Sequence, residues 1–149
     1  MKKFRFGLQT IRELREAQEQ ATQRAYGTAV HECEEIATRL MVLDQDLQGA
    51  WQMMRNWSGL RVDELRHGRA WCCVLEENQK KLAAELELAQ QKVNEAHARL
   101  VDATRQREVM DRLFRKQHRV HERNVVIEQQ KFMDEVATRR AWQLELEAA

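Results

Sequence analysis

Between Cys33 and Trp57 the apolar positions recur at alternating steps of three and four: Cys33, Ile36, Leu40, Leu43, Leu47, Ala50, Met54 and Trp57. A helix gathers positions with that spacing into one stripe, the a/d seam of a coiled coil. Ile11 and Leu14 open the same pattern upstream. It then passes through Ala21, Ala25 and Ala29 in steps of four, a local shift of register. One helix from about residue 8 to 57 is predicted. A second seam reads Trp71, Leu75, Leu82, Leu86, Ala89, Val93, Ala96, Leu100 and Ala103. It becomes polar beyond Ala103, where Arg107, Gln117, His121 and Asn124 fall at or near it between Met110, Leu113, Phe114 and Val120. Val125, Val126, Phe132, Met133 and Val136 then restore an apolar face, giving a second helix of about 69–146.

The break between the seams is "NWSGLRVDELRHGR". Ser58-Gly59 is turn chemistry, with Ser58 placed to cap the helical segment after it. "LRVDELRH" reads as one or two helical turns, and Gly68 permits a kink before the second long helix. Two long helices with one tight break fold back on each other, because each has a stripe to bury and the other is the nearest partner. The predicted fold is all-α: an antiparallel two-helix coiled-coil hairpin over residues 1–149, with a short helical segment at 58–68. Leu40, Leu43 and Leu47 should face residues of roughly 75–86. Heptads alone would also support a long dimer.

Composition agrees with long helices. The 149 residues are 33% charged and 6% aromatic, with no proline and five glycines, all at or before Gly68. Lys plus Arg is 25 against 24 Asp plus Glu, a formal net charge of +1, which argues against a dedicated nucleic-acid or anionic-membrane binder. The apolar run Ala70 to Leu75 is far below the roughly 18–20 residues that span a bilayer. The start "MKKFRFGLQT" has no apolar stretch behind its basic residues. Three cysteines, an odd number, fit a reducing cytoplasm.

Zinc needs four ligands within about 2.0–2.3 Å of one point. In a hairpin turning near residue 60, Cys33 lies on the order of 20 Å from Cys72. Adjacent Cys72 and Cys73 also point about 100° apart, so small hydrophobic packing is the better reading of all three. Ser58 is the only serine, there is no phosphate-binding glycine loop, and carboxylate pairs such as Glu34-Glu35 sit at helix-surface spacing. Neither catalysis nor a cofactor is expected. The segment from Arg105 to Arg123 carries a basic patch of Arg105, Arg107, Arg112, Arg115, Lys116, Arg119 and Arg123 against Glu108, Asp111 and Glu122. A solvated face comes first among its readings, docking to an acidic protein surface second and nucleic acid last. "WCCVL", Trp71 to Leu75, is wider than one seam, so part of it should stay exposed. Packing against the middle segment and docking of a partner both remain open.

The opening "MKKFRFGLQTIRELRE" and the distant "EQQKFMDEVATRRA", Glu128 to Ala141, resemble the two ends of the flagellar export protein family FliJ. Phe-x-Phe-x-Leu runs into a Leu-Arg-Glu helix at one end, and Met-Asp-Glu is followed by an apolar residue and Ala at the other. The resemblance covers essentially the whole chain. It implies a stalk of the type III export apparatus. The end carrying both termini would enter the pore of a hexameric FliI-like export ATPase, and the opposite end would reach an FlhA-like export gate. Export chaperones would be further partners, and the chain would sit in the cytoplasm, peripheral to the membrane through the apparatus. The family's gate-contact strip, aromatic, Leu, small and His, lands on Trp71, Leu75, Asn78 and Leu82, of which the first two match in type. For the ATPase ring the implied residues are Phe4, Arg5, Phe6, Leu8, Ile11, Arg12, Arg15, Met133, Val136, Arg139 and Arg140. Phe4, Phe6, Leu8, Ile11, Met133 and Val136 are expected to gather. The alternatives are the equivalent stalk of a virulence secretion system and a structural homo-oligomeric coiled coil.

Overall fold

In a computed structural model, which describes residues 3–56, 59 and 61–148, the chain forms helix α1 (Gln9–Asn56) and helix α2 (Val62–Ala148). They pair as an antiparallel hairpin. Trp57 and Ser58, a seam residue and a cap in the sequence reading, lie outside the described residues. Contacts divide the chain into a turn unit, Gln18–Ala103, and a terminal unit, Met1–Ala17 with Thr104–Ala149.

At the turn, Gly59 has φ +120°, a conformation that costs a side-chain-bearing residue dearly. Helix α2 starts where the Glu64 carboxylate reaches back to accept from the Arg61 amide at 3.2 Å, one half of a capping box. Asp63 and Glu64 in the first turn also complement the helix dipole. The short segment expected before Gly68 is not a separate helix; it forms the first turns of α2. α2 continues through Gly68 without a break. A Cβ there would stand 3.4 Å from the Met54 sulfur, an ordinary contact with a flexible side chain.

Within the turn unit the α1 seam is the predicted one: Cys33, Ile36, Leu40, Leu43, Leu47, Ala50 and Met54 are all half-buried. The pairs Tyr26–His97, Cys33–Gln90 and Asp44–Gln79 each have residue numbers summing to 123, so the helices keep one constant antiparallel register. The α2 seam differs from expectation at its start. Cys72, 1% exposed, takes the place assigned to Trp71, and Leu75 beside it is 5% exposed. The observed stripe runs Gly68, Cys72, Leu75, Gln79, Leu82, Leu86, Ala89, Val93, Ala96, Leu100 and Ala103, with steps of four and three and no exception. Trp71 is thereby turned outward, 58% exposed.

The second departure lies at the start of α1. No register shift occurs at the alanines; steps of four and three continue upstream through Ala29, Tyr26, Thr22, Glu19, Arg15 and Arg12. Polar residues therefore occupy the seam. Ile11 and Leu14 face out, 42% and 54% exposed. The arrangement holds because the inward polar groups find partners, Arg12 with Asp111 and Arg15 with Gln106.

The register yields a crosslinking prediction. Cys33 Sγ stands 3.9 Å from Gln90 Oε1, so Gln90→Cys should oxidise to a disulfide within one chain. With the exposed Cys73 replaced by Ser, a product dominated by crosslinked pairs of chains on non-reducing gels would contradict the hairpin.

Candidate functional site

In the turn unit the residues assigned to one strip divide between two faces. Leu75 belongs to the helix–helix core, where steps of three and four place it, and its side chain has little left to offer a partner. Trp71 and Asn78 are exposed. Leu82 is half-buried and lines a groove with Val42, Leu43 and Asn78. Val74, which the sequence reading left off the strip, is 48% exposed and lies three residues from Trp71. Trp71 also closes a small pocket of about 150 Å³ with Met53, Met54, Leu65 and Gly68. The outer strip thus reads Trp71, Val74, Asn78 and, at its edge, Leu82.

The cysteines behave as packing residues. Cys72 Sγ lies 3.6 Å from Met54 Sδ. Burial pushes its thiol pKa up, with Glu76 and Cys73 adding to the effect, which removes the thiolate that reactive chemistry requires. Cys33 is half-buried against Gln90, and Cys73 is exposed.

In the terminal unit the segment before α1 runs as a strap along α2. Phe6 is 8% exposed and meets Phe114 edge-on at 5.3 Å. Phe4 sits among Phe114, His118 and His121, with ring centroids 5.6, 5.1 and 5.4 Å away. The Arg12 guanidinium lies 4.3 Å over the Phe114 ring, a cation–π contact. Arg12 also donates to one oxygen of Asp111 at 2.8 Å, while Arg107 donates to the other at 2.7 Å. The hydrogen bond from Arg12, helped by its charge and by Arg107, holds the Asp111 carboxyl below the usual aspartate range.

The expected gathering of strap and helix end does not occur. Phe4 and Phe6 pack at Phe114 to His121, whereas Met133 and Val136 are 65% and 43% exposed. Met133 lies twelve residues beyond His121, about 18 Å along the helix. Arg12 against Asp111 and Phe4 against His118 and His121 fix the strap at that part of α2. Leu8, Ile11, Arg5, Arg139 and Arg140 are exposed, but Arg12 and Arg15 turn inward. Every residue from 126 to 148 is exposed, including Ile127, Phe132, Trp142, Leu144 and Leu146.

The basic patch also divides. Arg107 points into the seam, while Arg112, Arg115, Lys116, Arg119 and Arg123 share an outer surface with Val120. Asp111 and His118 escaped the sequence reading as inward groups. Carrying the steps of four and three onward from Ala103 would have reached Arg107, Met110 and Phe114; the move to His118 is set by the non-helical strap. Among the described residues, no three His, Cys, Asp or Glu side chains converge as a metal site, and no helix is long and apolar enough to cross a membrane.

The model of the family described as flagellar FliJ protein matches residues 4–145. No curated protein and no solved structure matches the chain.

Asp111→Asn should lower the melting temperature at neutral pH, by stability on the order of 1 kcal/mol because water partly screens the cluster. The sign of the pH dependence comes from the lowered folded pKa. The native carboxylate contributes fully above its unfolded value near 3.9, and its contribution disappears as pH falls through the lower folded value. Thermal melts of both proteins should therefore converge at strongly acidic pH; a constant gap would exclude the ionised Asp111 as its source.

Proposed function

The chain belongs to the flagellar FliJ protein family, and on that premise we propose that it is a non-catalytic central stalk of the flagellar protein export apparatus. In this role it couples a hexameric export ATPase to the membrane export gate and handles export chaperones. Its place is cytoplasmic, at the inner face of the membrane through the apparatus. The terminal unit serves the ATPase ring and the outer strip of the turn unit serves the gate.

The observation that carries the reading is the bare end of α2. Its exposed apolar residues do not share one side. At about 100° per residue, Ile127, Phe132 and Met133 point in three directions roughly 120° apart. A helix lying on a flat surface would collect such residues on a single face. A distribution around the circumference suits a collar of protein, which a hexameric ring provides. Leu8, Ile11, Arg5, Arg139 and Arg140 are further candidates for ring contacts. Arg12 and Arg15 support the seam beneath them.

At the gate, Trp71 is the aromatic anchor, flanked by Val74, Asn78 and the edge of Leu82, with Leu75 holding α2 from below. Trp71→Ala should leave the melting temperature nearly unchanged and weaken gate binding about tenfold or more, as loss of an aromatic hot spot does. Leu75→Ala should instead cost about 2–5 kcal/mol of stability. Thermal unfolding and calorimetric titration with the purified gate domain separate the roles. Wild-type gate affinity in Trp71→Ala would remove the turn unit from the gate.

A further inference from the structure

Charge is divided unequally between the two units. The terminal unit holds fifteen Lys and Arg against ten Asp and Glu, and the turn unit ten against fourteen. The near-neutral whole therefore conceals a terminal unit of net +5. Much of that excess lies on one face of α2. Taking about 100° per residue, Arg112, Arg115, Lys116, Arg119 and Arg123 fall within a sector of about 100°. The face that Phe114, His118 and His121 turn to the strap lies well over a right angle away. Arg112 pairs with Glu108 at 3.5 Å, and Arg115 donates to the Asp111 carbonyl at 3.3 Å. Lys116, Arg119 and Arg123 have no carboxylate within ion-pairing distance among the described residues. Between them Val120 is 49% exposed.

We infer that this stripe, centred on Lys116, Arg119 and Arg123, seats an acidic surface of the protein that surrounds the terminal unit. The inference rests on the stalk reading and changes which cations serve it. Arg12 and Arg15 spend their guanidinium groups on Asp111, Phe114 and Gln106, so the outward positive field comes from α2 instead. Charge complementarity calls for an anionic partner, and the neighbouring segment selects its class. Apolar side chains point to all sides just beyond Arg123, which fits an enclosing protein better than a planar bilayer. Nucleic acid would ask for base-stacking aromatics on the basic face, and that face carries none. Exposed cations of this kind steer association and set register, and their effect weakens with salt.

The test uses the full-length chain and its cognate hexameric export ATPase. Changing Lys116, Arg119 and Arg123 together to Glu should keep helicity and weaken ring binding about tenfold or more, and should remove much of its salt dependence. The Lys116→Gln, Arg119→Gln, Arg123→Gln variant should fall between, and it decides by the same criterion if the reversal disturbs folding. Phe132→Ser with Val136→Ser is the companion variant for the bare helix end. Ring binding unaffected by the charge changes but lost in the companion variant would overturn the stripe and leave the stalk reading standing. Wild-type ring binding in all variants would overturn both. Charge reversal that abolishes binding to phosphatidylglycerol vesicles or duplex DNA, while ring binding persists, would also overturn the inference.

Discussion

An alternation of four- and three-residue steps, unbroken along α1 and along α2 from Gly68 to Phe114, governs everything else in this protein. In each unit the alternation decides which side of a helix is inside, and side-chain chemistry then has to accommodate it. On α1 it carries Arg12, Arg15, Glu19 and Thr22 inward even though Ile11 and Leu14 stand next to them. A slip of one residue would bury those two apolar groups, but it would break the spacing shared by the rest of the helix. The seam keeps its period and recruits Asp111, Arg107, Gln106 and the Phe114 ring to satisfy the arginines. Buried or half-buried charge of this kind is a weak source of net stability; its better-attested use is to hold a register.

A two-helix protein has no third layer, so the alternation sorts residues with little compromise. Only Phe6, Cys72, Leu75, Ala89 and Ala103 count as buried hydrophobic residues among those described. Two of these are alanines, and each contributes little area. Stability must then be spread along the seam rather than concentrated in a core. Large apolar residues outside the seam have nowhere to hide, and Trp71, Phe132 and Trp142 remain on the surface. Burial and exposure are thus assigned by one rule, which separates Leu75 from Trp71 although they are only one helical turn apart.

The hairpin and the first seam from Cys33 to Met54 were legible because Leu and Ile mark their positions at a regular spacing. Errors arose where the seam is polar or small. Gly68 and Cys72 carry no strong hydrophobic mark, so the larger Trp71 drew the start of the second seam onto the wrong face. The alanines at 21 and 25 suggested a shift that the inward Tyr26 and Thr22 do not make. Near Phe114 the cause is different. Its partner is the non-helical strap, which obeys no heptad, so the inward positions move to His118, His121 and Val125 and leave Gln117 and Asn124 outside. Of the site, exposure of the "WCCVL" neighbourhood was foreseen, while the division between its members required the structure.

Within the terminal unit, the pairing of α1 and the strap with α2 stops short of the α2 end, which is bare. α1 has 48 residues and α2 has 87. In the terminal unit, Arg12 meets Asp111 and Phe6 meets Phe114, so the start of α1 lies beside that part of α2. The strap from Phe4 to Leu8 can reach only a little further, to His118 and His121. Nothing in α1 remains to cover the rest of α2. An isolated single helix of such length needs either strong internal support or an external partner, and its largest apolar residues are the ones such a partner would shield.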